Sequence, residues 1–130
     1  MNRKELMNKY FEFLSVEGLK PDEVVVGFGG AMVMWGLREE TSDLDLSLDE
    51  VVFEKIVGEK GLVVKELNRS ISKCLAVWDE CVDIHPGELG GVLVDGVMVD
   101  SLEKILEGKL FLNREKDKKD IEKLKELLGY

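Results

Sequence analysis

Residues 24–48 read VVVGFGGAMVMWGLREETSDLDLSL, and this stretch decides the fold class. The valines at 24–26 form a short continuous apolar run, which is typical of a buried strand. The glycines after it open a short helix over residues 31–35, and Gly36 closes that helix. A polar loop over residues 37–42 then leads into residues 43–48, whose strict alternation predicts a half-buried strand.

The remaining elements follow from apolar spacing, helix caps and turn signals. Before the stretch, a helix is predicted over residues 2–17, ended by Gly18. After it come a helix over 49–57, opened by a Ser47–Glu50 capping box and ended by Gly58, a strand over 61–67, and hairpins of 74–78 with 81–85 and of 92–94 with 97–99. Two helices follow, over 102–110 with an Asp100–Glu103 capping box and over 116–128. This order predicts an α/β (α+β) fold, a mixed sheet with flanking helices, in one domain over residues 1–130.

Composition excludes several classes of function. With 18 Lys and Arg against 27 Asp and Glu the net charge is −9, which argues against broad binding of duplex DNA. No apolar run approaches the ~20 residues of a membrane span, and the start of the chain does not resemble a secretion signal, so we expect a cytoplasmic protein without a membrane partner. Cys74 and Cys81 match no common zinc spacing and are predicted to be free thiols.

Two aspartates in the alternating strand are the first candidate site. Asp43 and Asp45 are two residues apart, so both carboxylates project from one face, opposite three leucines that project towards a core. Adjacent anions repel each other, and a hard cation such as Mg²⁺, or Mn²⁺, prefers oxygen ligands of this kind. The alternative interpretation is the ordinary polar face of an edge strand.

A third acid, Asp83, lies between Val82 and Ile84 on a later predicted strand. If that strand lies beside residues 43–48, three carboxylates meet and two metal ions could be held. Asp83 could instead act as a general base towards an acceptor hydroxyl, or be an exposed acid at a sheet edge. His85, the only histidine, shares the predicted face of Asp83, where it could contact a phosphate or an acceptor. It is interpreted as a partly exposed residue at the end of the strand.

The glycine pair Gly29-Gly30 lies between the buried strand and the helix. Glycines there let backbone N–H groups approach a phosphate closely, at a helix end that favours negative charge. A tight strand–helix turn without a ligand is the alternative. Arg38 has the chemistry to clamp a phosphate, or to pair with Glu39 or Glu40.

These features, in this order, resemble the signature of the DNA polymerase β-like nucleotidyltransferase superfamily: a glycine pair after a strand, about a dozen residues, an acid-hydrophobe-acid strand, and a third acid on a later strand. The chain looks especially like the small stand-alone branch of bacterial and phage proteins. In that branch an Arg and a Thr often precede the acids, as Arg38 and Thr41 do here. Residues 113–120, NREKDKKD, are similar to its Arg-x-Lys-Asp-x-x-Asp helix start.

The resemblance implies a nucleoside triphosphate over Gly29 and Gly30 and Mg²⁺ on Asp43 and Asp45, with Asp83 as the third acid of the catalytic and metal site. It also implies contacts from Arg38, Thr41 and Lys116. It implies transfer of a nucleoside monophosphate to an acceptor hydroxyl on RNA, protein or a small molecule. The other cations of residues 109–119 are interpreted as a solvated helix face, paired with neighbouring acids.

Two departures from the family pattern keep an alternative open. The glycine segment lacks the serine of many active members, and no second domain is evident to hold an acceptor. The chain could therefore be a catalytically inactive binding module of the same fold, or an antitoxin-like or phage regulatory protein whose acidic surface masks a basic partner.

Overall fold

A computed structural model describes residues 1–67 and 74–130, and these residues contain five α-helices around a seven-stranded mixed sheet. In chain order the elements are α1 (Arg3–Glu17), β1 (Val24–Gly27), α2 (Phe28–Met34), β2 (Leu44–Leu48), α3 (Glu50–Lys60), β3 (Val64–Glu66), β4 (Cys74–Asp79), β5 (Val82–Pro86), β6 (Val92–Val94), β7 (Val97–Val99), α4 (Leu102–Leu112) and α5 (Lys118–Leu128). The predicted order of elements and the mixed α/β class are confirmed. None of the described helices is long and apolar enough to cross a membrane.

The strands lie in the order β3-β4-β5-β2-β1-β7-β6. β2 runs parallel to β5 and β1 runs parallel to β7, whereas the other neighbours are antiparallel. Both predicted hairpins form, β4 with β5 and β6 with β7. Asp95 and Gly96 take positive φ angles of 50° and 82° in the second turn, the conformation that an Asp-Gly pair favours there.

The central strands separate a core face from a polar face. On the core face Val24 and Val26 pair with Leu48 and Leu46, and all four are fully buried together with side chains of α1 and α2. The alternate residues point the other way. This polar face carries, across three neighbouring strands, Gly27, Asp45, Ser47, Asp83 and His85.

The predicted boundaries of α3 are wrong at both ends. Asp49, not Ser47, caps the helix, because its side chain accepts a hydrogen bond from the Val51 amide at 2.8 Å. Gly58 stays helical, and the helix ends at Gly61, whose φ of 63° places it in the left-handed region that glycine adopts readily. A glycine stops a helix where the chain must leave the helical conformation, and Gly58 is not at such a point.

The caps of the C-terminal helices also differ from prediction. α4 is capped by Ser101, whose hydroxyl accepts a hydrogen bond from the Lys104 amide at 3.1 Å, and not by Asp100. α4 continues to Leu112. Lys116 lies in a 3₁₀ turn, Glu115–Asp117, that precedes α5 and was predicted to be its first turn.

Candidate active site

Asp45 and Asp83 are direct neighbours on parallel strands. The register of β2 and β5 pairs Leu44 with Val82, Asp45 with Asp83, and Ser47 with His85. The two aspartates therefore share the polar face, each half-buried, and the expectation that the Asp83 strand lies beside the Asp43–Asp45 strand holds. Asp83 is not at a sheet edge, because β4 covers the other side of β5.

The pKa of Asp83 is affected by the other two acids. Burial raises the pKa of the Asp83 carboxyl, and the negative charges of Asp45 and Asp43 raise it further. His85 and Lys65 oppose the shift more weakly. The Asp83 carboxyl is therefore within electrostatic reach of both Asp45 and Asp43.

His85 is buried, which corrects its interpretation as a partly exposed residue. Its side chain is 6% exposed, and Nε2 donates a hydrogen bond to Asp45 Oδ1 at 2.8 Å. A carboxylate only accepts, so the shared proton belongs to Nε2. The Phe28 ring packs beside the imidazole, with 5.8 Å between ring centroids. His85 thus orients Asp45 and is part of the site, through a contact with an acid that the sequence analysis did not predict.

β2 begins at Leu44, one residue later than predicted, so Asp43 lies immediately before the strand. Its side chain is exposed. The Thr41 hydroxyl donates to the Asp43 carbonyl at 3.1 Å, which shapes the turn that delivers the acid. The two alternatives for Thr41 were a hydrogen bond near the acids and a role in shaping the turn. This one hydrogen bond fits both of them.

Gly29 is a point of close approach between the first turn of α2 and the loop before β2. A Cβ at this position would lie 2.6 Å from Thr41 Oγ1 and 3.0 Å from Arg38 Nη1. No side chain fits there without displacing these groups. Gly29 is therefore required so that Arg38 and Thr41 can lie against the glycine turn.

Gly30 has a different role. It is buried, and a Cβ there would lie 2.9 Å from Val26 Cγ1 and 3.3 Å from Leu6 Cδ1. The space that Gly30 leaves open is filled by core side chains from β1 and α1, so packing requires this glycine irrespective of any phosphate.

Arg38 pairs with neither Glu39 nor Glu40. Its Nη2 lies 3.2 Å from Asp120 Oδ2, on the first turn of α5. The same Asp120 oxygen lies 3.2 Å from Lys109 Nζ. The C-terminal helix therefore holds the arginine that borders the glycine turn.

Asp117 anchors the turn before α5 from inside the protein. It is 2% exposed and accepts hydrogen bonds from Arg114 Nε at 2.6 Å and from Lys109 Nζ at 3.3 Å. Burial acts to raise its pKa, but these hydrogen bonds and charges outweigh burial and hold the pKa below the usual value. The prediction that this segment pairs with its own acids is confirmed, but Asp117 is buried and not on a solvated face.

A cleft of about 950 Å³ lies beside the acids, between the polar face and α4 with the turn that follows it. Gly29, Arg38, Lys116, His85 and Asp100 are among its lining residues. Its volume is large enough for a nucleotide-sized ligand. The cleft brings the predicted residues Gly29, Arg38 and Lys116 to one cavity. Asp43, Asp45 and Asp83 are not among its described lining residues, and the link from the cleft to Asp45 is the hydrogen bond of His85.

The acidic face suits a hard cation by its donor chemistry, since all three candidate side chains offer carboxylate oxygens. Within residues 1–67 and 74–130, however, no three His, Cys, Asp or Glu side chains converge as a ready-made metal site. The hydrogen bond of His85 occupies one oxygen of Asp45. A cation here would have to displace or share that contact and draw further oxygens from a ligand.

Comparison with known proteins finds no match among family models, curated proteins or solved structures.

Proposed function

We propose that this chain is a Mg²⁺-dependent nucleotidyltransferase, which moves a nucleoside monophosphate from a nucleoside triphosphate to an acceptor hydroxyl. The observation that carries the proposal is the register of Asp45 with Asp83 on adjacent parallel strands. It sets the third acid beside the acid-hydrophobe-acid strand, on the face opposite the core. The resemblance of the sequence motifs adds the reaction class.

Asp43 and Asp45 would hold the cation, Mg²⁺ or Mn²⁺, with phosphate oxygens of the substrate completing its ligands. Bound there, the cation would neutralise charge on the phosphates during transfer. The half-buried position of Asp45 and its hydrogen bond to His85 keep its carboxylate in one orientation. Such preorganisation is what a metal ligand requires.

The cationic end of the cleft suits the triphosphate. Arg38 is held by Asp120 next to Gly29, and Lys116 lines the same cavity on an exposed turn. A planar guanidinium held by a second residue loses less freedom on binding an anion than a free side chain would.

In the reaction the acceptor oxygen attacks the α-phosphorus, the bond to the pyrophosphate oxygen breaks, and pyrophosphate leaves. The proton of the acceptor hydroxyl goes to Asp83. The raised pKa of that carboxyl, due to burial and to Asp45 and Asp43, makes it a stronger base than an ordinary aspartate. The acceptor is RNA, protein or a small molecule, and a cytoplasmic location agrees with a nucleoside triphosphate as donor.

Label transfer tests the proposal. Each α-labelled nucleoside triphosphate is incubated with Mg²⁺, total bacterial RNA and protein, and the wild type or one of Asp43→Asn, Asp45→Asn and Asp83→Asn. We expect label on one class of acceptor with wild type, and a loss of about a hundredfold or more in each variant. The matched control, Asp22→Asn, alters an exposed aspartate outside the cleft and should transfer label normally. Transfer that survives Asp45→Asn would reject the proposal.

Cation binding has its own readout. A cation that binds the folded chain raises its melting temperature by mass action. We expect Mg²⁺ and Mn²⁺ to raise the melting temperature of the wild type and of Asp22→Asn, but not of an Asp43→Asn/Asp45→Asn double variant. Equal shifts in all three proteins would show that the aspartates are not the ligands.

A catalytically inactive binding module is the second candidate. It is favoured by the engagement of Asp45 with His85 and by the lack of a ready-made metal cluster in the described part of the chain. Nucleotide binding by calorimetry, without release of pyrophosphate in the presence of lysate acceptors, would establish it over the enzyme.

A further inference from the structure

Asp100 is a cleft residue that neither the sequence motif nor the proposed reaction uses. It follows β7, and its backbone is held on both sides: the amide donates to the Val26 carbonyl at 2.9 Å, and the carbonyl accepts from Trp35 Nε1 at 2.8 Å. Its side chain is 15% exposed and lines the cleft. The position of the carboxyl is therefore set by the sheet and by α2.

The carboxyl of Asp100 has an ion pair but no well-aligned hydrogen bond to Oδ1 from the described residues. Oδ1 is buried. Lys104 Nζ lies 3.4 Å from Oδ1 and forms the ion pair with it. Burial raises the pKa of Asp100, and Lys104 opposes that shift only in part. A native protein rarely keeps such a group without a use for it.

Gly27 leaves room for this carboxyl because it has no side chain. A Cβ at Gly27 would lie 3.0 Å from Asp100 Oδ2, so the absence of a side chain lets Asp100 approach β1. Gly27 pairs with Asp45 on its other side. One strand, β1, therefore separates Asp100 from the strand that carries Asp45, and both aspartates lie at the same end of the sheet.

Residues 27–29 connect three chemical groups. Gly27 borders the Asp100 carboxyl, the Phe28 ring is 37% exposed and lines the cleft, and Gly29 borders Arg38. Phe28 has a φ of 53°, a conformation that a bulky residue adopts only under constraint and that is found most often at functional sites. Two residues span at most about 7 Å, a distance that one sugar–phosphate unit bridges.

We propose that Asp100 binds a ribose hydroxyl of the nucleotide in the cleft, so that the site prefers a ribonucleotide over the deoxy form that lacks this hydroxyl. The proposal rests on the proposed function for the presence of a nucleotide. A carboxylate accepts strong hydrogen bonds from sugar hydroxyls, and either oxygen can turn to the ligand because the terminal torsion is soft. In this arrangement Arg38 binds the phosphates, the Phe28 ring packs against the sugar or base, and Asp100 accepts a hydrogen bond from the hydroxyl.

Binding is measured by calorimetry, apart from transfer. Wild type, Asp100→Asn, Asp100→Ala and the control Asp22→Asn are each titrated with a ribonucleoside triphosphate and its 2′-deoxy and 3′-deoxy forms, with Mg²⁺ present. We expect wild type and control to prefer the ribonucleotide roughly tenfold or more over at least one deoxy form. Asp100→Ala should bind all three with the affinity of that deoxy form. Asp100→Asn keeps the shape of the side chain and shows, by its melting curve, that the fold is intact.

Three outcomes overturn the proposal: no preference in the wild type, a preference that survives Asp100→Ala, or no nucleotide binding. The last also removes the proposed function. Binding with an Asp100-dependent preference but without label transfer supports this inference while removing the reaction. Unchanged nucleotide affinity with lost transfer in Asp100→Ala would assign the carboxyl to a hydroxyl of the acceptor, against the ribose.

Discussion

The guanidinium of Arg38 lies 3.2 Å from the carboxylate of Asp120, a residue 82 positions later in the chain. This ion pair joins the loop beside the glycine turn to the first turn of α5. Lys109 contacts the same carboxylate. The C-terminal segment therefore acts on the candidate site by holding an arginine, and Lys116 of that segment lines the same cleft.

The first prediction concerns Asp120 as a positioning residue. Arg38 is 40% exposed and Asp120 23%, so Asp120→Asn should change the free energy of unfolding by less than about 1 kcal/mol. The Michaelis constant for the nucleoside triphosphate should rise roughly fivefold to tenfold with little change in kcat, because a loosened arginine binds the phosphates less well. Arg38→Lys should show a similar rise. A purely structural pair would lower stability and leave the Michaelis constant unchanged.

The second prediction concerns the buried carboxylate of Asp117. Asp117→Ala removes the partner of Arg114 and one of the two partners of Lys109, and we expect a loss of about 1–3 kcal/mol in the free energy of unfolding. Glu115→Gln, at an ion pair in which Glu115 is 87% exposed, serves as control and should change stability by less than about 0.5 kcal/mol. Urea denaturation of both variants measures the difference. Equal stabilities would mean that the cluster around Asp117 does not stabilise the fold.

The third prediction is a dependence of stability on pH. The pKa values of Asp83 and Asp100 are raised in the folded chain, mainly by burial, so the folded state keeps these protons at pH values where the unfolded state has lost them. Their contribution is favourable below the ordinary aspartate pKa and is lost as pH rises through the raised values. Asp100→Asn removes one ionisation and should raise the melting temperature at pH 7 relative to wild type, with a smaller difference near pH 4. A lower melting temperature at pH 7 would contradict this reasoning.

The fourth prediction compares two glycines. Gly29→Ala places a Cβ 2.6 Å from Thr41 Oγ1, and we expect it to destabilise the fold by about 1–3 kcal/mol and to weaken nucleotide binding. Adding Thr41→Ala removes the closest atom and should restore part of the stability. Gly58→Ala lies inside α3 with no atom within 4 Å of the new Cβ, and should stabilise the fold by up to about 1 kcal/mol. A thermally neutral Gly29→Ala would show that the loop yields easily.

Much of the fold could be predicted because its signals are local. Alternation over residues 43–48 indicates a strand with one apolar face, and the structure buries all three leucines fully. The Asp95-Gly96 hairpin needs only its turn residues and the valines on either side. Predicted boundaries were wrong where more than one residue could serve as a helix cap. At the start of α3 both Ser47 and Asp49 have suitable side chains, but Ser47 belongs to β2 and Asp49 caps the helix.

The candidate site was predicted in part. Gly29, Arg38 and Lys116 line one cleft, and Asp45 meets Asp83, as the motif order implied. Asp100 was missed as a site residue, and His85 was interpreted as partly exposed, without its contact with Asp45. The place of His85 two residues after Asp83 was a usable signal, since both share a strand face, but nothing near it in sequence shows that Asp45 lies within hydrogen-bonding distance. Asp100 was interpreted as a helix cap. Its place beside the cleft could not be predicted, because it depends on contacts with Gly27 and Trp35, which lie far from Asp100 in the sequence.

By itself the sequence determined which segments are strands and helices, and that Asp45 lies on the face of its strand opposite the leucines. These properties depend on spacing within one element, where backbone geometry alone decides direction. Only the tertiary structure decided that Asp83 stands beside Asp45, that Asp120 holds Arg38, and that Asp117 and Asp100 are buried. The contacts of Asp83, Asp120 and Asp100 join residues tens of positions apart, and they follow from strand order and helix packing, which local periodicity does not encode.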